Sequence, residues 1–451
     1  MTITLERAKP EQVQTLVLPK NFDLSPDMEK AIKAGKQKKS LFITGRAGTG
    51  KSTLLTYLRK NHLSKNHVVV APTGVAAINV GGMTIHKFFG FQIDVTFEFI
   101  ESDHYRPRNQ RIMRNLKTLI IDEISMVRAD LLDCVDRALR KYGPRPDKPF
   151  GGVQIIFVGD LYQLPPIVTN QEIEFIDYHY DTPYFFSSYA YRELQKEVCV
   201  IELEKIYRQQ EKDFIKILNA IRVNQTTPEL LNRLNERVQT DFEPSSDQFY
   251  ITLTATNELA SKINQSELAK INAPLHKSIA HMTGSIGKKE FPAEIEIFFK
   301  VGSQIMMLNN DSQGRWVNGT LATIKEINLE KGKRDPHVVI EIAGQDELHY
   351  VQKHEWEILR PRSLGTSLTY DIIGSFTQFP FMLAWAVTIH KSQGKTFDNV
   401  IIDLTAPTFA AGQLYVALSR CTTLAGTVLK QEVDSSQIIV DEKVSNFKKF
   451  D

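Results

Sequence analysis

The segment Gly45-Arg46-Ala47-Gly48-Thr49-Gly50-Lys51-Ser52 constrains this chain more than any other. The apolar run Leu41-Phe42-Ile43 precedes it, and a helical pattern from Ser52 to Lys60 follows. Glycines at this spacing let backbone N–H groups close around phosphate oxygens, and the helix N-terminus adds its partial positive charge. The segment therefore fits the Walker A pattern in the strand-to-helix setting that the pattern requires. Gly45, Gly48, Thr49, Gly50, Lys51, Ser52 and Thr53 are the expected nucleotide contacts. Lys51 would reach the β- and γ-phosphates, and Ser52 would ligate Mg²⁺.

A second element supports the first. Leu119-Ile120-Ile121-Asp122-Glu123 is an apolar strand ending in two acids. Alone the pair is weak, because acids often cap strands in solvent. Beside a Walker A loop, Asp122 reads as the metal-binding Walker B acid and Glu123 as the group that polarises an attacking water. Gln163 follows the next apolar strand, in Gly159-Asp160-Leu161-Tyr162-Gln163, and reads either as a γ-phosphate sensor or as a turn residue. No Asn-Lys-x-Asp guanine reader ends a strand, which disfavours a GTPase.

Short continuous apolar runs at 41–43, 68–70, 119–121, 155–158 and 198–203 alternate with helical patterns, as buried parallel strands do. The expected class is α/β: two P-loop-type lobes with parallel sheets. Residues 1–210 form the first lobe, with an insert at about 88–116. Residues 211–285 and 374–451 form the second, and 286–373 a β-rich insert with short strands and polar turns such as Lys331-Gly332-Lys333.

Lys+Arg of 55 against Asp+Glu of 53 leaves a net charge of only +2, so a nucleic-acid footprint must be local. Three scattered cysteines suit neither a disulfide framework nor a zinc cluster. The apolar stretch Phe381–Ile389 is too short to span a bilayer, and Met1–Arg7 lacks a leader pattern. The expectation is a soluble cytoplasmic protein of the bacterial nucleoid, without a membrane partner.

Thr84-Ile85-His86-Lys87 recurs as Thr388-Ile389-His390-Lys391, once in each expected lobe. Pro72-Thr73 and Thr256-Asn257 both follow apolar strands and precede helical patterns. Hydroxyls and N–H groups at helix starts suit phosphate oxygens, so each lobe would offer two such elements to a single strand. An accidental echo with both histidines in cores is the alternative. Phe88 and Phe89 lean towards base stacking, while the other aromatics of the insert lean towards packing. Met306 and Met307 read as core.

Taken together, these motifs resemble superfamily-one helicases of the Pif/RecD-like group. The resemblance runs from about Asn21 to Cys421 and includes Ala71–Ala77, Tyr207-Arg208-Gln209, Thr388–Gly394 and Gln413–Arg420. The stretch Leu131–Phe157, with Lys148-Pro149-Phe150-Gly151-Gly152, is similar to the Pif-type signature. The resemblance implies two RecA-like lobes closing on ATP and Mg²⁺, an inserted wedge at 88–116 and an SH3-like barrel in the β-rich insert. It also implies arginine fingers Arg208 and Arg420, a nucleotide contact at Gly394, and strand contacts at Pro72, Thr73, Thr84, His86, Thr256, Asn257, Thr388, His390, Lys391 and Ser392. The implied activity is ATP-dependent 5′-to-3′ unwinding, with single-stranded and tailed duplex DNA as partners. The protein would be a monomer in solution, with dimers on DNA left open. Met28 stands where the family carries an adenine-reading glutamine, which leaves base specificity open. A RecD-like subunit of a nuclease complex and an NTP-gated binding switch are the alternative readings.

Overall fold

The computed structural model describes residues 24–447, apart from 93–94, 246–247, 285–290, 331–335, 365–366, 407 and 409. Met1–Arg7 and the turn at Lys331–Lys333 lie outside the described residues.

Six parallel strands form the first sheet, in the order Met83–Thr84, His67–Ala71, Thr118–Ile121, Gln154–Val158, Ser40–Gly45, Val198–Leu203. Its central strands are buried almost without a break, which is why they read as apolar runs rather than alternations. Parallel pairing has a further consequence: every strand ends at the same edge. The loops after Gly45, Ala71, Ile121 and Val158 therefore gather there, the usual place for ligands in open α/β sheets.

A second parallel sheet has the order Ala386–Thr388, Ile251–Thr254, Val400–Asp403, Thr427–Leu429. It packs a separate core that includes Phe214, Leu253, Val387, Ile402 and Leu418. Between its strands lies the β-rich region, whose strands run from His276 to Leu383, wider at both ends than the expected 286–373. Five strands make an antiparallel sheet, and His354–Leu364 and Ser367–Gln378 make a long hairpin. Met306 and Met307 are buried, as read.

The insert after His86 holds the short helices Ile85–Phe89, Phe97–Glu101 and Gln110–Asn115. Here the stacking expectation is corrected. Phe88 and Phe89 are 0% exposed, with ring centroids 4.8 Å apart in an edge-on pair. Their carbonyls are tied down as well, by Asn109 Nδ2 (2.6 Å) and the Tyr105 hydroxyl (2.8 Å) respectively. Rings with no open face cannot stack on a base; they anchor the insert to the first sheet's core. Arg106, Arg108, Arg111, Arg114 and Lys117 are exposed.

Candidate nucleotide site and strand-facing edge

The phosphate loop begins where the strand Ser40–Gly45 ends. At Gly48 φ is +78°, and a Cβ there would meet Arg208 Cβ at 2.6 Å, so only glycine fits. Thr49 Oγ1 donates to the Arg46 carbonyl (2.9 Å), and Lys51 Nζ donates to the carbonyls of Gly45 (2.7 Å) and Arg46 (3.0 Å). Lys51 opens the helix Lys51–Asn61, whose first turn presents Ser52 and Thr53.

Asp122 and Glu123 follow the strand Thr118–Ile121 at the same edge. Burial, then mutual repulsion, pushes the Asp122 carboxyl above its ordinary range; burial pushes Glu123 up too, against the pull of Lys51 and Arg420. Glu123 also carries left-handed backbone angles (φ 48°, ψ 46°), a conformation that costs a non-glycine residue about 1–3 kcal/mol. Ser52, Asp122, Glu123, Asn79, Asn318 and Gly394 line a cavity of about 200 Å³. A hydroxyl and carboxylates are hard oxygen donors, and a dication would offset the raised carboxyl groups. Ser52 and Asp122 thus fit Mg²⁺.

Groups from beyond the first sheet close over this edge. Tyr207 N–H donates to the Gly48 carbonyl (2.8 Å), and Arg208 Nη1 to the Ser419 carbonyl (2.9 Å). Arg420 is 1% exposed and donates to the carbonyls of Val416 (2.9 Å) and Lys395 (3.3 Å) and to Ser419 Oγ (2.8 Å). Burial, with repulsion from Arg208, lowers Arg420 to about 9, and burial lowers Arg208 to about 10. Such guanidinium groups gain most from a multiply charged anion placed between them. Gln163 is buried with its Nε2 3.4 Å from Asp160 Oδ2, so it lies at the same edge.

Several contacts here carried no sequence signal of their own. Tyr415 Oη accepts from the Ala47 N–H (2.9 Å) and lies 3.4 Å from Asp160 Oδ2, while Asp160 Oδ1 pairs with Arg222 Nη2 at 2.8 Å. Burial raises Asp160, but Arg222 and Lys51 outweigh it and hold the carboxyl below its ordinary value. Gln393 Nε2 donates to Glu123 Oε2 (3.0 Å). Tyr415 and Gln393 lie inside segments singled out above, whereas Arg222 ends the helix Lys212–Arg222, outside all of them. Met28 is 1% exposed, its methyl lying where a Cβ on Gly50 would meet it at 2.9 Å, so it lines the back of the loop.

The threonines share one geometry. Thr73, Thr84, Thr256 and Thr388 each accept from the backbone N–H three residues on, at 3.2, 3.2, 3.3 and 3.3 Å. Each is a helix cap whose hydroxyl keeps its own proton to donate. Thr84 pairs with Ala71, two residues before Thr73; Thr388 pairs with Thr254, two residues before Thr256. Pro72, Thr73, His86 and His390 are half-buried, and Asn257 and Lys391 exposed. Burial lowers the His390 pKa. Ser392 departs from expectation: it is 0% exposed and its hydroxyl donates to the Ile389 carbonyl (2.8 Å), so it secures the turn rather than facing a strand.

Fold and edge together define a P-loop nucleoside triphosphatase with two parallel sheets that meet over its phosphate loop. A PIF1-like helicase family model matches residues 26–230, and a UvrD-like helicase C-terminal model matches 383–426. The chain is 31% identical to the ATP-dependent DNA helicase Pif1 of Bdellovibrio bacteriovorus, over 95% of this chain and 92% of that one. It is 32% identical to the ATP-dependent DNA helicase PIF1 of Danio rerio, but spans only 62% of that protein's length. Among solved structures, Bacteroides Pif1 in complex with ADP-AlF4 superposes with a TM-score of 0.84, at 35% identity over 95% of this chain and 97% of that one. The same Bacteroides protein has been solved bound to single-stranded DNA, with a TM-score of 0.68, 34% identity and coverage of 95% and 97%. The chain belongs to the PIF1-like helicase family.

Proposed function

We propose that this chain is an ATP-dependent DNA helicase that moves 5′-to-3′ on single-stranded DNA and opens duplex ahead of it. The observation that carries the reading is the convergence of second-sheet groups on the phosphate loop: Arg420 buried beside Glu123, and Tyr415 on the Ala47 N–H. Hydrolysis chemistry that needs groups from both sheets ties nucleotide state to their closure, and closure moves one threonine-capped edge relative to the other. In this reading Mg²⁺ held by Ser52 and Asp122 neutralises phosphate charge, Lys51 holds the β- and γ-phosphates, and Glu123 orients the water with Gln163 near the γ-phosphate. Arg208 and Arg420 stabilise charge on the transferred group. Phosphates of the strand meet Thr73, Thr84, His86, Thr256, Asn257, His390 and Lys391, contacts to backbone that suit a motor indifferent to sequence. Polarity is taken from the family pattern.

Strand displacement on duplexes with a 5′ or a 3′ single-stranded tail tests this. The expected result is ATP-dependent displacement from the 5′ tail; displacement from the 3′ tail alone overturns the polarity, and none from either overturns the motor. Forks, G-quadruplexes and RNA–DNA hybrids in the same assay rank the substrates. Because Met28 packs behind the phosphate loop, ATP and GTP are expected to support comparable turnover, and a strong ATP preference in kcat/KM argues against that.

A further inference from the structure

Gln393 stands where the two proposed sites meet. Thr388 caps the short helix Ile389–Ser392, the Gln393 N–H closes on the His390 carbonyl (3.3 Å), and Gly394 turns the chain at φ +77°. The Gln393 side chain, 7% exposed, then crosses to the first sheet and donates to Glu123 Oε2. Lys395 fixes the far end: its carbonyl accepts from Arg420, and its Nζ donates to Asn318 Oδ1 (2.8 Å), whose Nδ2 lies 3.4 Å from Asn79 Oδ1 on the first half. One eight-residue segment thus offers its start to a strand and its end to the catalytic edge.

The same chain holds a related segment for comparison. Thr84–Phe91 repeats the capped start and the left-handed glycine: Thr84 caps Ile85–Phe89, and Gly90 has φ +71°. In that copy the place of Gln393 is taken by Phe89, fully buried and apolar. Phe89 is still helical, whereas Gln393 leaves its helix one residue earlier (φ -57°, ψ 138°), and its amide there answers to Glu123. Glu123 carries a left-handed backbone, and the Gln393 amide donates to its buried carboxylate.

We propose that Gln393 is a positioning residue that ties the aim of the Glu123 carboxylate to the grip of residues 388–391 on DNA. This rests on the reading of Glu123 as the water-orienting group and of 388–391 as strand contacts. A strand phosphate drawing on His390 and Lys391 moves the helix turn that carries Gln393, and displacements near 1 Å at a reacting centre change rates about 10²-fold.

The test is Gln393→Met, which keeps length and burial but removes the donor. ATP turnover is measured without DNA and with saturating oligothymidine, alongside KM for ATP, melting temperature and binding of a fluorescent ATP analogue. The expected result is a fall of about 10- to 100-fold in DNA-stimulated kcat, a much smaller fall without DNA, and unchanged KM and analogue binding. An equal fall in both conditions overturns the coupling, and full retention overturns the positioning. Should the methionine variant unfold, Gln393→Leu, apolar and without a donor towards Glu123, carries the same comparison. Glu123→Gln separates the two levels. If it keeps turnover, the catalytic reading falls and takes this inference with it. If it loses turnover while Gln393→Met keeps its stimulation, this inference alone is overturned.

Discussion

Thr84–Phe91 and Thr388–Lys395 share a start and part at its end: Phe89 is still helical, whereas Gln393 has already left its helix at ψ 138°. Both start on a threonine cap, run through Ile-His-Lys, turn on a left-handed glycine and lean on a neighbouring parallel strand in the same register. In the first copy the remaining places hold Phe88, Phe89 and Phe91, which sink into the core; in the second Ser392 secures its own turn, and Gln393 and Lys395 face the seam. A like contrast separates Asp122 and Asp403. Both end the strand beside the threonine-bearing one, since Asp403 pairs with Thr254 and Asp122 N–H donates to the Val70 carbonyl. Yet Asp122 lines the cavity near Ser52, whereas Asp403 accepts from the N–H (3.0 Å) and hydroxyl (2.6 Å) of Thr405. The threonine-capped start is duplicated and the phosphate loop is not. The second half answers the first with arginine, tyrosine and glutamine in place of a nucleotide pocket of its own.

If that division holds, the largest loss follows from removing what the second half lends. Arg420→Ala is expected to lower ATP turnover by about 10³–10⁵-fold while a fluorescent ATP analogue still binds. Wild-type turnover in this variant would show that the seam is packing only. The two aspartates come next. Asp122→Asn is expected to lower Mg²⁺-dependent turnover by about 10²-fold or more, because the proposed carboxylate ligand of the dication that would neutralise phosphate charge is lost. Asp403→Asn is expected to leave kcat alone and to cost at most about 1 kcal/mol of stability, the value of a typical hydrogen bond. Equal losses in kcat would erase the distinction between the halves.

The caps test the shared part. Thr84→Val and Thr388→Val each remove a helix cap, at about 0.5–2 kcal/mol by chemical denaturation. Both are also expected to weaken single-strand binding, measured by fluorescence anisotropy at fixed salt, and to do so by similar factors. A loss confined to one of the two would mean that only one edge grips.

Most of the engine was legible because its chemistry is local. A phosphate loop needs its glycines, lysine and serine in consecutive places, and a buried parallel strand must be apolar throughout, so Gly45–Ser52 and Leu119–Glu123 announce themselves. The recurrence of Thr-Ile-His-Lys was legible for the same reason. Phe88 and Phe89 were not, because a phenylalanine that stacks on a base and one that fills a core have the same composition and spacing; only burial separates them. The Asp160–Arg222 pair joins residues 62 apart in sequence and repeats with no period. Gln393 lies within Thr388–Gly394, yet nothing local says that an amide five residues beyond a threonine cap crosses to another sheet. The edges of the β-rich region were blurred for a related reason: its outermost strands, such as His276–Ile279, alternate weakly and border helical stretches.

The smallest expected effect concerns Lys395, whose counterpart in the first copy is Phe91. Burial lowers the Lys395 ammonium to about 8, and its hydrogen-bond acceptor is the neutral Asn318 side chain rather than a carboxylate. The sign of its contribution follows from proton counting. Between about pH 8 and the ordinary lysine value of 10.5, the folded chain has released this proton and the unfolded chain has kept it, so stability rises with pH through that window. At pH 7 both states hold the proton, and the folded state bears the cost of a buried charge. Lys395→Met, which brings the second copy closer to the apolar first, is therefore expected to be more stable than the parent at pH 7, by about 1–3 kcal/mol. The gap should close as pH approaches 10, as read by denaturant melts at each pH. A variant less stable at pH 7 would mean that the Lys395–Asn318–Asn79 chain is worth more than the burial it requires, and that the polar copy of the turn is built for holding the halves together.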